Sequence, residues 1–255
     1  MKKSFLVGFL SIAAMSLCGC LNPHLSSMGA SQMIVAHQPR LAVNGDSSAM
    51  TVSVNAFGGA KMTGRNIKDG FTGGATASLN YRPMGLSSPF YVEASLGAKG
   101  GNVSLECSES GKCNDAYYKW LASSAGKKKY SFWNMQERLA GGVDFDLGPY
   151  VIFGMGVGVQ LFEGAGEFDD IRDYLGKSIV DNDDEGFGMK LYSSARVGAR
   201  LGSKGVIALD ADFMWLKTMN FGLMLNYYHP SGFYGGIFGA EKVGYGVNFG
   251  KTFRF

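Results

Sequence analysis

Two groups of residues have the types and spacing that could support catalysis. His229, Ser231 and Glu241 could form a nucleophilic set, in which the histidine activates the serine hydroxyl and the carboxylate orients the ring. Asp210 and Asp212 could act as an acid and a base, or could hold a metal ion together. Either chemistry depends on where the surrounding chain places these side chains.

A third group could bind a cation. The range 164–185 is strongly acidic, and Asp181, Asp183 and Glu185 alternate ahead of a glycine, as in the first half of a calcium-binding loop. The twelfth position is Tyr192, however, and not the glutamate that would close such a loop. We therefore expect a solvated acidic loop, with weak divalent-cation binding as the alternative and no cofactor.

The beginning of the chain predicts export. Lys2 and Lys3 precede an apolar run that is too short to cross a bilayer as a helix. Residues 17–20 resemble the lipobox of bacterial lipoproteins, which implies a signal peptide over 1–19 and lipidation of Cys20; an ordinary secretory signal is the alternative. Residues 20–48 show no sustained period, and we expect them to form a flexible periplasmic tether.

Two further cysteines follow at a spacing of six residues. In an oxidising compartment, Cys107 and Cys113 predict one small disulfide loop. A zinc site is not indicated, because zinc needs about four ligands and no histidine or second cysteine pair lies nearby. The net charge of +3 is too small to favour nucleic acid as a partner, and the sequence has no basic stripe with interleaved aromatic residues.

The elements that would position all these residues are strands. From residue 49 onward apolar and polar residues alternate, which is typical of half-buried β-strands. The alternation predicts an all-β domain over 49–255 with ten antiparallel strands, or eight if the region 205–240 holds fewer. The predicted strands are 50–62, 71–82, 89–102, 130–146, 150–163, 187–201, 205–216, 220–228, 232–240 and 244–255.

Nine charged residues of these strands share the face that carries the small residues. They are Arg138, Asp144, Asp146, Lys190, Arg196, Arg200, Asp210, Asp212 and Arg254. Small residues and paired charges suit the polar interior of a membrane barrel, whereas long aliphatic residues suit lipid. A water-soluble sandwich is the alternative. Because buried charges must be paired, we expect an ion-pair network that plugs the lumen and leaves little room for more than side chains.

The last eight residues resemble a known assembly signal. Asn248 and Gly250 lie on the polar face, while Phe253 and the C-terminal Phe255 lie on the apolar face. This ending resembles the C-terminal β-signal by which bacterial outer-membrane β-barrel proteins are recognised for assembly. The chain is thus similar to the small barrel superfamily that includes the transmembrane domain of outer-membrane protein A and the opacity-type adhesins.

That resemblance implies a transmembrane up-and-down barrel with both termini in the periplasm. Its partners would be outer-membrane lipid and lipopolysaccharide, and the barrel assembly machinery would insert it. Members of the superfamily are mostly structural or surface-interaction proteins, and some are narrow pores. We therefore expect a non-enzymatic envelope protein whose surface ligand no motif specifies, with a porin-like channel as one alternative.

The other alternative is an outer-membrane lipid or peptide hydrolase. The run 229–231 with Glu241 is similar to the histidine, serine and glutamate arrangement of lipid A deacylases. Proline follows the histidine directly, however, and strand parity places the run in a periplasmic turn, away from the outer leaflet. We expect this run to form a turn and not a catalytic centre.

Overall fold

The barrel consists of ten antiparallel strands. The computed structural model describes residues 33–36, 50–60, 67–83, 88–105, 129–166, 187–215, 220–240 and 244–255. The strands are β1 (Met50–Ala60), β2 (Ile67–Tyr81), β3 (Phe90–Leu105), β4 (Lys129–Asp146), β5 (Val151–Gly166), β6 (Phe187–Arg200), β7 (Val206–Trp215), β8 (Asn220–Tyr228), β9 (Phe233–Ala240) and β10 (Gly244–Arg254).

Each strand pairs with its neighbours in sequence, and the first strand pairs with the last. The β1–β10 register runs from Thr51 opposite Arg254 to Ala60 opposite Tyr245. A backbone hydrogen bond of 3.0 Å from the Phe255 amide to the Met50 carbonyl extends this seam beyond the last strand. Closure leaves no unpaired sheet edge, so the sheet offers no template for aggregation.

The two faces of the sheet differ in chemistry, as the alternation predicts. Outward side chains are large and apolar: Val157 is 68% exposed and Val247 is 63% exposed. The inward positions hold most of the polar and charged residues, and Gln160 and Asn226 are completely buried. They also hold a buried apolar cluster that includes Phe57, Ile152 and Phe238. The outward face includes a few charges, such as Lys251, whose ammonium lies 4.3 Å from the ring centroid of Phe233. An apolar exterior around an interior that holds the polar residues is the pattern of a barrel that spans a membrane.

All four connections at one end of the barrel are short, and we name it the turn end; the other end has both short and long connections. At three of the turns, the amide of the residue before the turn donates to a carbonyl four residues later: Leu147 to Val151, Leu201 to Gly205, and His229 to Phe233, at 2.8–2.9 Å. Two of these turns need glycine. Gly205 and Gly232 have φ values of 115° and 90°, and an added β-carbon would lie 2.2 Å and 2.4 Å from a carbonyl oxygen.

The strand count of ten is confirmed, and the alternative of eight is excluded. The main differences concern strand ends at the opposite end, which we name the loop end. There β2 begins at Ile67 instead of residue 71, β3 continues to Leu105 instead of 102, and β5 continues to Gly166 instead of 163. Strands β2 to β5 have 15, 16, 18 and 16 residues, more than the roughly 9–11 that cross a bilayer. Continued backbone pairing therefore carries these strands past the apolar band, where hydropathy gives no signal.

Candidate functional site in the barrel lumen

A chain of ion pairs crosses the lumen in its turn-end half. The Arg82 guanidinium donates to Asp144, and Arg196 approaches the same carboxylate with 3.6 Å between Nη1 and Oδ1. Arg196 also donates from Nε to Asp210 Oδ1 at 2.5 Å. Arg196 and Asp210 are paired directly across β6 and β7, so the register itself brings them together. All four side chains are buried, and their alternating signs offset the cost of removing each charge from water.

Arg138 occupies the centre of the lumen. Its Nη1 lies 3.7 Å from Asp212 Oδ2, and its Nη2 donates to Gln160 Oε1 at 3.2 Å. The guanidinium also lies 3.9 Å from the ring centroid of Tyr192, and that tyrosine donates to Asp212 at 3.0 Å. Contacts of this kind fix the plane of the guanidinium, which determines where its remaining N–H groups point.

Inside the barrel, next to Arg138, lies a piece of main chain that precedes β1. It consists of Met33, Ile34, Val35 and Ala36, which are only 1–3% exposed, and we name it the lumen segment. The Met33 carbonyl accepts a hydrogen bond of 3.1 Å from Arg138 Nη2. These residues, which fall within the range 20–48 predicted to form a flexible periplasmic tether, are therefore buried inside the barrel. The expectation that the lumen holds little beside side chains is corrected.

Two neighbouring strands hold the next carbonyl of the lumen segment. Asn55 Nδ2 and Thr76 Oγ1 donate to the Ile34 carbonyl at 3.2 Å and 3.0 Å. Asn55 and Thr76 face each other across β1 and β2, so both donors reach the same oxygen. Both lone pairs of this buried carbonyl are therefore used, as a carbonyl removed from water requires.

Short inward side chains leave the space that the lumen segment fills. At Gly97, an added β-carbon would lie 2.8 Å from Thr76 Cγ2 and 3.3 Å from Met33 Cε. A small cavity beside Met33 and Ile34 is lined by the carboxylates of β7 and by apolar residues near the loop end. Those apolar residues are Leu223, Met224, Phe238 and Ala240.

The other residues predicted for the lumen network lie on its margins. Arg200 and Asp146 form a pair of 2.6 Å at the turn end, where both are partly exposed. Arg254 is half-buried near the end of β10, and Lys190 is buried with its ammonium 5.8 Å from the ring centroid of Phe162. The interior also contains residues that the prediction left out: Arg82, Glu93, Lys99 and Gln160. Strand parity would have included all four, since the predicted strand 71–82 contains Arg82 on its polar face, although β2 itself ends at Tyr81.

The candidate nucleophilic set lies in an exposed turn at the turn end. Ser231 Oγ is 2.7 Å from His229 Nδ1, and the Ser231 amide donates to the same nitrogen at 3.2 Å. Because Nδ1 accepts from the amide, the hydroxyl is also a donor to it. Both contacts, together with the bond of 2.9 Å from the Gly232 amide to the His229 carbonyl, are those of a turn. Glu241 lies outside the described residues, so the structure does not bring the three groups together.

The metal and sulfur predictions fall on parts of the chain that the structure does not describe. These are the acidic positions Asp181, Asp183 and Glu185, the cysteines Cys107 and Cys113, and Cys20. Within the described ranges, no three side chains of His, Cys, Asp or Glu are grouped as metal ligands. The same ranges contain no helix that is both long enough and apolar enough to cross a membrane.

The residues of the predicted assembly signal have defined places in β10 or, for Phe255, directly after it. Asn248 is buried and donates from Nδ2 to Met224 Sδ at 2.9 Å. At Gly250, a β-carbon would lie 2.3 Å from both the Tyr234 ring and the Val54 carbonyl. Phe253 and Phe255 are 44% and 64% exposed on the outer surface. The two aromatic residues are therefore available to another molecule, whereas the two inward positions serve packing.

The fold and its two faces define the class: this chain is a transmembrane antiparallel β-barrel of the up-and-down type. No family model and no curated protein matches it.

Solved structures that resemble it include the attachment invasion locus protein Ail of Yersinia pestis, with 11% identity over 81% of this chain and 99% of that one and a TM-score of 0.35. The β-domain of the Bordetella autotransporter BrkA gives 10% identity, 82% and 100% coverage and a TM-score of 0.41. An outer membrane channel from Pseudomonas putida F1 has 10% identity over 84% of this chain and 100% of that one, with a TM-score of 0.39. At these TM-scores the similarities carry no argument about function.

Proposed function

We propose that this chain is a bacterial outer-membrane β-barrel that is closed to solutes and has a structural or surface-interaction role. The observation that carries the proposal is the filling of the lumen. Buried ion pairs from Arg82 to Asp210 cross its turn-end half, and the lumen segment lies against Arg138 next to them. A narrow porin-like channel would need a continuous path of water through the same cross-section.

The orientation in the envelope is part of this proposal. The start of β1 and the end of β10 lie at the turn end, with the short connections, and short turns face the periplasm in barrels of this class. Both termini would then be periplasmic, and Cys20 would be acylated after removal of residues 1–19. Globomycin treatment tests the lipidation, since an unprocessed precursor accumulates only when the lipoprotein signal peptidase acts on the chain.

Lipid, lipopolysaccharide and the assembly machinery are the proposed partners. Lipid and lipopolysaccharide would cover the apolar outer face, and the assembly machinery would recognise the ending that includes Phe253 and Phe255. Both aromatic rings are exposed on the barrel exterior, which supports this assignment. Recovery of the chain in the outer-membrane fraction, with a gel mobility that changes on boiling, is the expected result; recovery in the soluble periplasm would contradict the location.

We propose no enzymatic activity. The His229 and Ser231 contact is explained by the turn, and hydrolysis of outer-leaflet lipid would need the pair at the other end of the barrel. The test is a comparison of lipid A from cells with the wild-type chain and with Ser231→Ala. Identical acyl patterns are expected, and a lost or gained acyl chain would favour the hydrolase.

Planar-bilayer recordings test the closed lumen directly. Wild-type protein that has been refolded, and whose folding is verified by heat-modifiability, should give no conductance steps. Reproducible steps that scale with protein concentration would overturn the closed lumen and favour the narrow channel. The recordings must use protein that retains the lumen segment, because the segment fills part of the lumen.

A further inference from the structure

The wall of the lumen recognises main chain. Asn55, Thr76 and Arg138 all donate to carbonyl oxygens of the lumen segment, and none of these three bonds involves a side chain of the segment. Every peptide has carbonyl groups at this spacing. A site built in this way takes affinity from the main chain and selectivity from the pockets around the side chains, as strand-binding sites do.

The pocket at this site selects for uncharged side chains. Met33 and Ile34 line a small cavity together with apolar residues and with Asp210 and Asp212. An acidic side chain placed there would lie near two acidic residues in the buried interior, and its burial would be costly. The pocket therefore suits an extended segment with an aliphatic residue at the position of Ile34.

The three donors are held in place by the barrel itself. Asn55 and Thr76 are fixed opposite each other by the β1–β2 ladder. Arg138 is held by Asp212, Gln160 and the face of Tyr192. The site therefore keeps its geometry without the lumen segment, and a binding site that is already organised loses less entropy when a ligand enters.

We propose that this part of the lumen is a binding site for an extended, uncharged peptide, and that residues 33–36 occupy it in cis. The site can release its own segment and take an equivalent one in trans. The inference rests on the proposed function, because it assumes a barrel that assembles in a membrane with its lumen filled as described.

Amide hydrogen exchange tests the occupancy in cis. The wild-type barrel in detergent micelles should exchange slowly at 33–36, because the segment is buried against fixed donors. Thr76→Val and Asn55→Leu each remove one donor with little change in volume. Each should raise the exchange rate at 33–36 by about five-fold, the equivalent of one ordinary hydrogen bond.

Thr72→Val is the matched control. Thr72 lies on the same strand and the same face as Thr76 and is also buried, and no hydrogen bond to its hydroxyl is present within the described residues. Its substitution should leave exchange at 33–36 unchanged. Equal effects of Thr72→Val and Thr76→Val, or fast exchange in the wild type, would overturn the occupancy.

Binding in trans is tested with a variant whose own segment cannot dock. Ile34→Asp places a carboxylate beside Asp210 and Asp212 and should expel the segment, while the barrel still shows the mobility change on boiling. A fluorescent synthetic peptide with the sequence of residues 31–38 should then bind this variant saturably and the wild type far less. A peptide that itself carries Ile34→Asp should not bind.

Thr76→Val added to the Ile34→Asp variant should weaken peptide binding about five-fold, and Thr72→Val should not. A folded Ile34→Asp barrel that binds both peptides alike, or neither, would overturn the site. Conductance by the wild type, in contrast, would overturn only the proposal of a closed lumen, because hydrogen exchange and peptide binding do not depend on ion flow.

Discussion

Replacement of Arg196 by methionine should destabilise the barrel strongly. Arg196 bonds to Asp210 at 2.5 Å and lies near Asp144, with both carboxylates buried. Asp144 keeps its bond to Arg82 in the variant. Asp210 is left with a buried charge, since the described residues give it no second ion pair. The loss of one partner from a buried pair costs about 3–5 kcal/mol, or roughly two to four powers of ten in the unfolding equilibrium.

Two further variants separate this effect from simple loss of contacts. Arg196→Met combined with Asp210→Leu removes both charges, so the double variant should be more stable than Arg196→Met alone. Arg200→Met is the matched control, because Arg200 is on the same strand and bonds to Asp146 at 2.6 Å at the partly exposed turn end. A pair in that position contributes about 0–1 kcal/mol.

The assay is reversible unfolding by guanidinium in lipid vesicles, followed by tryptophan fluorescence. The reasoning is refuted if Arg196→Met and Arg200→Met cost the same free energy of unfolding. It is equally refuted if the costs of Arg196→Met and Asp210→Leu simply add in the double variant, since an additive result would mean that the two charges do not interact.

Three other predictions are tested by the same guanidinium unfolding, and the last one also by the amount of folded barrel in cells. Val157→Arg, in the lipid-facing band of β5, should cost about 2–4 kcal/mol, whereas Leu147→Arg at the turn end should cost about 0–1 kcal/mol; equal costs would argue against the membrane assignment. Gly158→Ala should lower the free energy of unfolding by about 1–3 kcal/mol, because its β-carbon would lie 2.1 Å from the Leu139 carbonyl oxygen. Gly239 has open space at the same point, so the free energy of unfolding of Gly239→Ala should be within about 0.5 kcal/mol of the wild-type value. Phe255→Leu should lower the amount of folded barrel in cells and leave the free energy of unfolding nearly unchanged, because the side chain stays apolar on the outer face. Phe249→Leu, at a similarly exposed position, is the control, and equal loss in both would argue against a terminal signal.

The strands were predictable because each one repeats a single physical requirement. Alternate residues from Val151 to Leu161 face lipid, so apolar residues recur with a period of two, and the other face carries Ile152, three glycines and Gln160. The same parity placed Arg196 and Asp210 inside the barrel. It also made an ion-pair network the expected arrangement, because charges inside a narrow barrel must meet partners. A buried salt-bridge network is present.

The lumen segment could not be predicted from the same patterns. Its own residues have no period, because the bonds that hold it come from Asn55, Thr76 and Arg138 and engage only its carbonyls. Its side chains are a run of four apolar residues, of which Ile34 and Ala36 pack in the buried apolar cluster of the barrel. A run this short does not by itself show that the segment lies inside a barrel. The space it fills is visible only as small inward residues such as Gly97, and small residues are common on the inward face of any such strand.

Arg138 is the side chain that joins the ion-pair network to the lumen segment, and its contacts indicate how independent the two are. If the segment leaves, Arg138 loses the Met33 carbonyl but keeps Asp212, Gln160 and the Tyr192 ring. No charge is left alone, so the large cost that applies to Arg196 does not arise. The network can therefore persist while the segment exchanges. The ion-pair network is thus the part that the folded barrel requires, and the lumen segment is the part that can move without disrupting that network.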